Sequence, residues 1–427
     1  MTAIFRFFID WVAYVVKGSP KFYALIAGLV VLVLPMIYGT YLQTSVGLSI
    51  TGLTSQVSDG LYIANFVFLV GVAAAAVTIA FPAYVYHHKG LREVAVLGEM
   101  VAAAAVVMCL LFIVSHMGRP DRLWHMMPFV GIYNIPGSML AWDMLVLSVY
   151  FALNIVGGFY YMYTQYVGTQ VNRKFYMALI YVTIVWALSI HTVTAFFLST
   201  MPARPMWHTG MMPIRFIVTA FAAGPSLLIL VLLVIRRYTR LSIDNSAIDM
   251  LATIMTYCMG IAMFLTMSEI VVDLYAPTEH SAGLQYLMFG AQGLNDLVPW
   301  FWSSLAANLI AFGMLLTRSV RKNYHSLAIA CVLSFLGIWI EKGVALVVPG
   351  YIPSPIGEFT RYVPSTLEML VTLGNWALGL LVMTVLLKGA IGILLGDIKY
   401  RDQGSSAQKE INADATVASI AARQDHD

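Results

Sequence analysis

The stretch HMGRPDRLWHMMPFVGIYNIPGSMLAWD, from His116 to Asp143, joins two long apolar segments, and the rest of the chain is organised around it. His116 closes the first segment, and Asp143 opens the second. Ionisable groups at the ends of membrane helices cost free energy and commonly mark function. Each residue alone also has a structural interpretation. His116 could be a histidine whose hydrogen bonds are all made within the protein, and Asp143 could stabilise the positive end of the next helix.

The composition identifies a membrane protein. Of the 427 residues, 60% are hydrophobic and only 11% are charged, and the mean hydropathy is +0.81. Soluble domains carry about 25% charged residues. From this composition we expect the lipid bilayer to surround the chain. The net charge of +3 is small, so we expect no nucleic-acid partner.

Ten segments are long enough to cross a bilayer, since a spanning helix needs about 20 mostly apolar residues. The predicted fold class is therefore an all-α polytopic membrane protein, with one domain of packed helices over residues 21–400. The segments are 21–43, 60–86, 94–116, 138–162, 174–200, 213–235, 247–275, 298–317, 325–348 and 367–395.

The two ends of the chain are predicted to lie outside this domain. Residues 1–20 mix Arg6, Asp10 and Lys17 with aromatic residues, which is typical of an amphipathic helix at the membrane surface. No small-residue cleavage site follows, so no cleavable signal is expected. The polar tail 401–427 is predicted to be disordered and cytoplasmic. One side of the first helix would hold Phe5, Phe8, Trp11, Val12 and Val15.

The distribution of Lys and Arg predicts the orientation. Of these 24 residues, 18 lie at the N-terminus, at the C-terminus or in alternate short loops, five lie towards the other side, and Lys342 lies inside the ninth span. Both termini are therefore predicted to lie in the cytoplasm, and the chain itself in the cell inner membrane. The outer loops are rich in Pro, Trp, His and Gly, as loops that carry function often are. They are 117–137, 201–212, 276–297 and 349–366.

Most ionisable residues in or beside the spans are predicted to lie in the outer half of the membrane, and only Glu99 is predicted to lie in the inner half. A scatter of structural ion pairs would not cluster by depth. The pattern favours a cavity reached from the outer face and lined by groups that exchange protons. The outer set consists of His116, Asp143, His191, Glu269, Asp273, Asp296, Glu341 and Glu368.

Two pairs leave alternatives open. Glu269 and Asp273 lie one turn apart on one helix face, and like charges at that spacing favour keeping a proton on one of them. Glu341 and Lys342 are neighbours and point in different directions on a helix. Lys342 is then expected either to pair structurally with a carboxylate of the seventh span or to act in the polar site.

The cysteine and histidine positions constrain the cofactors. The three cysteines lie in apolar runs without a CxxC motif, so they form no ligand set for zinc or an iron–sulfur cluster. Of nine histidines, only His116 and His191 lie within spans, both towards the outer side. A di-haem cytochrome needs paired histidines at two depths, so a single haem is the only haem alternative. From the residues we therefore expect no metal site and no iron–sulfur cluster in this chain.

Four stretches follow one another in a fixed order along the chain: HMGRPDRLW with SMLAWDMLVLSVY, SIHTVTAFFLSTMPARPMWHTGMMPIRF, NDLVPWFWSSLAANLI and IWIEKGVALVVPGYIPSPIGEFTRYVPSTLEML. They resemble motifs of the NrfD/PsrC family, the quinone-reactive membrane subunits of polysulfide-reductase-like complexes. They fit the larger ten-helix branch, which includes membrane subunits of alternative complex III, of the Hmc complex and DsrP of the dissimilatory sulfite-reduction complex. The DsrP type is the most similar.

The resemblance covers about residues 20–395 and implies two four-helix bundles, at about 60–200 and 213–348, with one flanking helix on each side. It also implies a menaquinone or ubiquinone site near the outer surface, with no haem or cluster in this chain. A ferredoxin-like iron–sulfur subunit would dock on the outer face, beside other membrane and cytochrome subunits.

At matching positions, the resemblance implies that His116 and Asp143 bind the quinone and accept protons, and that Arg119 shapes the loop. Tyr133 and Asn134 fall in the same loop and join the implied quinone site. The residues implied in proton movement are His191, Glu269, Asp273 and Glu341.

The expected function is thus a quinone-reactive anchor that exchanges electrons with iron–sulfur partners in sulfur or sulfite metabolism, with coupled proton translocation as an open extension. The alternative from the residues alone is a proton-coupled solute transporter. In that alternative, Glu269, Asp273 and Glu341 would form the carrier relay.

Overall fold

The structure, a computed structural model, describes residues 3–126 and 130–400. This part of the chain is almost entirely helical, has no extended strand, and contains ten helices long and apolar enough to cross a membrane. The prediction of an all-α polytopic membrane protein is confirmed. The predicted tail at 401–427 lies outside the described residues.

We number the helices in chain order. They are α1 (Ala3–Val16), α2 (Pro20–Val46), α3 (Leu61–Val85), α4 (Lys89–His116), α5 (Met139–Val167), α6 (Arg173–Ser199), α7 (Met212–Tyr238), α8 (Asn245–Tyr275), α9 (Ser281–Phe289), α10 (Val298–Leu316), α11 (Arg318–Lys322), α12 (Tyr324–Tyr351) and α13 (Thr366–Leu394). The ten candidate spans are all of these except α1, α9 and α11. Short 3₁₀ turns occur at Leu48–Ile50 and Pro120–Met126.

Eight spans form two rings of four. In the first bundle, α3 to α6, each helix contacts the next and α6 returns to α3; the second bundle closes in the same way through α7, α8, α10 and α12. Helix α3 also contacts α7 and α12, so it joins the two bundles, while α13 packs against α2 and α4. Runs of small residues at 71–76 and 102–105 allow this close approach.

Asn65 ties three helices together at this junction. Its side-chain oxygen accepts hydrogen bonds from the indole nitrogens of Trp339 on α12 (3.0 Å) and Trp376 on α13 (2.8 Å). Buried indole N–H groups normally need such a partner. One asparagine on α3 therefore serves both neighbouring helices.

Helix α1 packs against the first bundle through fewer residues than its sequence suggested. Trp11 and Val15 are buried with Phe7, and Phe7 makes an edge contact with Phe159 of α5 at 6.3 Å. The remaining residues of the predicted apolar side are exposed; they are Phe5, Phe8 and Val12.

Two π-helical turns interrupt the spans, at Phe81–Val85 in α3 and at Ile340–Val344 in α12. Such turns shift the phase of the helix and often occur at functional sites. The turn in α12 contains Glu341 and Lys342 and directs them to different neighbours.

Candidate functional site

We use the term long-loop face for the side of the helices that carries loops 117–137, 201–212, 276–297 and 349–366. On this face His116, the last residue of α4, lies with its Nε2 2.9 Å from Asp59 Oδ1. Asp59 precedes α3 in the loop between α2 and α3. Both side chains are largely buried, with exposed fractions of 24% and 12%. Imidazole Nδ1 is buried and has no hydrogen-bond partner among the described residues.

Asp59 connects His116 to the end of α12. The Tyr351 hydroxyl donates to Asp59 Oδ2, and the Arg204 guanidinium lies 4.3 Å from the centre of the Tyr351 ring. Burial raises the pKa of the Asp59 carboxyl, but the hydrogen bonds from His116 and Tyr351 and the charge of Arg204 outweigh it, so the pKa stays below its usual value. An ionised Asp59 can orient the His116 ring through this contact.

Asp143 is fully buried in the second turn of α5. The helix begins at Met139, after the Ser138 side chain accepts a hydrogen bond from the Ala141 amide. One carboxylate oxygen of Asp143 accepts a hydrogen bond from the Thr194 hydroxyl of α6 at 2.6 Å. The other, Oδ2, is buried without a partner in the described chain.

His191 lies one turn before Thr194 on α6 and shares its side of the helix. Its side chain is fully buried, and neither ring nitrogen has a hydrogen-bond partner in the part of the chain that the structure describes. Buried polar atoms are nearly always hydrogen-bonded, to protein, water or a ligand. The atoms of Asp143, His116 and His191 that lack a partner among the described residues are therefore open to a hydrogen bond from water or a ligand.

His116 and Asp143 belong to the same bundle but have separate partners, and no hydrogen bond between described residues joins them. Arg119 is 62% exposed and pairs with Asp121 at 2.9 Å. Tyr133 donates its hydroxyl to the Ala141 carbonyl at 2.6 Å, which holds the loop against the start of α5. The loop residue Asn134 is exposed.

Two of the three predicted relay residues of the second bundle, Glu269 and Glu341, bind Arg215. Its guanidinium donates to Glu269 Oε2 and, at 3.1 Å, to Glu341 Oε1. Glu341 also accepts hydrogen bonds from Thr266 (2.8 Å) and Asn308 (2.7 Å). The donors to Glu341 come from α7, α8 and α10, so this Arg215 cluster joins all four helices of the bundle.

The structural pairing considered for Lys342 is not formed: Arg215 takes the carboxylates instead. Lys342 Nζ lies 4.1 Å from the centre of the Phe216 ring and 3.4 Å from the Phe216 carbonyl oxygen. Asp273, one turn beyond Glu269, is partly exposed and lies outside the ion pair. Glu269 and Asp273 therefore differ in their surroundings, because Arg215 forms an ion pair with Glu269 and not with Asp273.

Two other carboxylates of the predicted outer set have structural partners. Glu368 is fully buried and accepts hydrogen bonds from the Tyr362 hydroxyl at 2.5 Å and from the Gly52 amide at 3.1 Å. Asp296 forms a double hydrogen bond with Arg361, both at 2.8 Å. These residues brace the loops of the long-loop face.

The sequence analysis did not identify three residues that bind the predicted site residues: Asp59, Thr194 and Arg215. Asp59 lies directly before a predicted span, so its position was a usable signal. Arg215 was counted only as a cation of the outer side, although an arginine inside the start of a span requires a nearby acid. Thr194 carried no signal beyond its spacing from His191.

Comparisons with known proteins identify the family of this chain. The family model described as "Polysulphide reductase, NrfD" matches residues 49–353, which include both bundles up to the end of α12. In the described residues, no group of three or more His, Cys, Asp or Glu side chains is arranged to hold a metal ion.

The relatives are subunits of several oxidoreductases. A selenate reductase subunit of Mesobacillus selenatarsenatis is 23% identical over 73% of this chain and 78% of its own length. A putative dimethyl sulfoxide reductase membrane subunit of Halobacterium salinarum is 26% identical over 80% and 85%. The Hdr-like menaquinol oxidoreductase integral membrane subunit of Archaeoglobus fulgidus is 24% identical over 86% and 92%. With ten spans and a family match over most of its length, the chain is a multi-pass membrane protein that belongs to the NrfD family.

Proposed function

We propose that the chain is the quinone-reactive anchor subunit of a respiratory redox complex. The observation that carries this proposal is the buried Asp143 carboxylate, which has one oxygen held by Thr194 and the other unpaired among the described residues. An unpaired buried oxygen suits a ligand that donates a hydrogen bond, as a quinol hydroxyl does. The unpaired Nδ1 of His116 adds a second group able to accept a proton.

Oxidation of a quinol releases two protons and two electrons. In this proposal, Asp143 and His116 accept the protons, and Asp59 holds the His116 ring in position. The electrons leave to an iron–sulfur subunit on the long-loop face, because the sequence offers no cluster ligands of its own. The subunit names of the relatives support such an assembly, and the menaquinol oxidoreductase relative supports menaquinone over ubiquinone.

Several finer features belong to the same proposal. The Lys and Arg distribution supports a location in the cell inner membrane with both termini in the cytoplasm. The resemblance to DsrP supports sulfur or sulfite metabolism and further membrane and cytochrome partners. Arg119, Tyr133 and Asn134 would shape the entrance of the site rather than bind the head group, since they lie in its surface loop.

The test is Asp143→Asn in the assembled complex. We expect quinone-linked turnover to be lost while the partner proteins keep their activity with a soluble electron acceptor. Asp296→Asn is the matched control, because it removes a carboxylate on the same face that is bound only to Arg361. Wild-type quinone turnover in Asp143→Asn would reject the assignment.

A proton-coupled transporter is the second candidate, and the Arg215 cluster is the observation that favours it. Charged groups shared by all helices of a bundle are typical of ion pathways. Substrate-dependent flux in liposomes that contain this chain alone would support transport. Activity that requires an iron–sulfur partner would support the redox anchor, in which His191, Glu269, Asp273 and Glu341 would conduct protons.

A further inference from the structure

Tyr351, the last residue of α12, connects the second bundle to His116 in the first. Its side chain is 6% exposed, and its hydroxyl donates a hydrogen bond to Asp59 Oδ2. The other carboxylate oxygen, Oδ1, lies 2.9 Å from His116 Nε2. The Asp59 carboxylate is therefore held between a tyrosine of one bundle and a histidine of the other, with one oxygen towards each.

The ring of Tyr351 is held in place by contacts that do not involve its hydroxyl. Trp207, in the loop between α6 and α7, is fully buried and packs edge to face against this ring, with the ring centres 4.9 Å apart. The Trp207 indole nitrogen donates to the Leu346 carbonyl at 2.8 Å and leaves no room for a Cβ atom on Gly350. Arg204 lies over the Tyr351 ring and donates to its backbone carbonyl at 3.2 Å. Removal of the hydroxyl alone should therefore leave the ring where it is.

The backbone beside Asp59 is anchored independently of Tyr351. The Leu61 amide, two residues later, donates to the Tyr362 hydroxyl at 2.7 Å. Gly60 packs so closely against Tyr362 that a Cβ atom would not fit there. With the backbone anchored, what remains to be set is the rotation of the Asp59 carboxylate. The Tyr351 hydroxyl sets it by binding one of the two oxygens.

The same geometry locates the hydrogen between Asp59 and His116. Two atoms that both present lone pairs repel each other at 2.9 Å, so a hydrogen lies between Oδ1 and Nε2. The donor from Tyr351 favours the ionised carboxylate, which places this hydrogen on Nε2. In a neutral imidazole that donates through one nitrogen, the other nitrogen is the acceptor. That nitrogen is Nδ1, which has no hydrogen-bond partner among the described residues.

We propose that Tyr351 is a positioning residue of the quinone site: through Asp59, it holds His116 in the tautomer whose free Nδ1 accepts a proton from the quinol. The inference rests on the proposed function. One quinol O–H bond breaks and its proton moves to Nδ1, Asp143 takes the second proton, and the two electrons leave to the iron–sulfur partner. Without the Tyr351 hydroxyl, the carboxylate is free to rotate away from Nε2, and the ring can carry its hydrogen on Nδ1 instead.

The test is Tyr351→Phe in the whole complex, assayed with a menaquinol. We expect kcat to fall by about twofold to tenfold, which is what one net hydrogen bond contributes to a rate. KM for the quinol should stay at its wild-type value, because a positioned base acts on the proton-transfer step. A site that is merely loosened loses affinity, and its KM rises. Activity of the partner proteins with a soluble electron acceptor should not change.

The double variant Asp59→Asn with Tyr351→Phe tests whether Tyr351 acts through Asp59. Residues that act as one unit are not additive. The double variant should therefore be no slower than Asp59→Asn alone.

Tyr166→Phe is the matched control. Tyr166 is 2% exposed and donates to the Asp10 carboxylate of α1 at 2.6 Å, but it lies at the end of α5, away from the long-loop face. This variant loses the same kind of hydrogen bond and should keep wild-type kcat and KM.

Wild-type kcat in Tyr351→Phe overturns the proposal, and so does a raised KM with unchanged kcat. Multiplying losses in the double variant, or an equal loss in Tyr166→Phe, also overturn it. If Asp143→Asn keeps quinone activity, the proposed function itself fails; if Asp143→Asn is inactive and Tyr351→Phe is normal, only the positioning role fails. Should Tyr351→Phe not assemble, assembled Asp59→Glu decides. It keeps the charge but moves the carboxylate, so a lowered kcat supports the proposal and a wild-type kcat overturns it.

Discussion

His116 Nε2 lies 2.9 Å from Asp59 Oδ1, so the last residue of α4 is held by a carboxylate that directly precedes α3. The contact leaves Nδ1 of the same ring unpaired among the described residues. A histidine held at one nitrogen and open at the other is oriented for exchange with a ligand at the open nitrogen.

Asp59→Asn should lower quinone-linked turnover by about tenfold or more, which corresponds to about 1.4 kcal/mol in activation free energy. The amide can still bond to the ring, but it carries no negative charge. Activity of the partner proteins with a soluble acceptor should not change. Asp121→Asn is the control, since Asp121 is paired on the same face but is 53% exposed. Equal turnover in the two variants would contradict a role for Asp59.

The same pair predicts an acid dependence of stability. Because the pKa of Asp59 is lower in the folded protein than its usual value of about 3.9, its contribution to stability is present above that pH and is lost as the pH falls through the folded pKa. Thermal midpoints measured between about pH 5 and strongly acidic conditions should therefore fall less steeply in Asp59→Asn than in the wild type. Parallel curves would show that Asp59 makes no such contribution.

Thr194→Val removes the hydroxyl that donates to Asp143. A buried carboxylate left without its hydrogen bond costs about 1–3 kcal/mol, so the thermal midpoint of the purified protein should fall. Thr194→Ser should retain most of the stability because the hydroxyl remains. Thr192→Val serves as the control, since this hydroxyl bonds only to its own helix. A loss of the same size in the control would refute a specific role for Thr194.

Arg215→Met should destabilise the second bundle strongly. Removal of one partner of a buried ion pair typically costs about 3–5 kcal/mol, because a buried charge remains unpaired. Here two carboxylates, Glu269 and Glu341, lose the same guanidinium. Stability measured by chemical or thermal unfolding should recover when both acids are also changed to Gln. Arg361→Met, which breaks a more exposed pair with Asp296, should have little effect. If the triple variant is no more stable than Arg215→Met, the clustered charges are not the cause.

The sequence allowed several candidate residues to be assigned to elements because they sit at defined positions in predictable helices. Asp143 and His191 could be assigned to the fourth and fifth spans by counting along the chain. The sequence could not predict that Asp143 Oδ2 and the His191 ring nitrogens lack hydrogen-bond partners among the described residues. That depends on which side chains the neighbouring helices place beside them. Glu368 had the same sequence character as Asp143, yet the fold surrounds it with donors from Tyr362 and two backbone amides.

The partners themselves were beyond local reasoning. Asp59 and Tyr351 are 292 positions apart, and Arg215 and Glu341 are 126 apart. A helical pattern reports which residues share a face of one helix, but it does not report which face of another helix lies opposite. For the same reason the sequence left open whether Lys342 pairs with an acid of the seventh span; in the structure Arg215 on α7 pairs with Glu269 instead.

The sequence by itself determined that this chain is an all-α membrane protein with ten spans, since hydropathy over about 20 residues is a local property that the bilayer reads directly. It also determined the family, because the motifs stand in order along the chain. Only the tertiary structure decided which ionisable groups are neutralised in pairs and which stay unpaired, because charges buried in a low-dielectric interior are governed by their nearest neighbours in space. That distinction separates the braced Glu368 from the open Asp143.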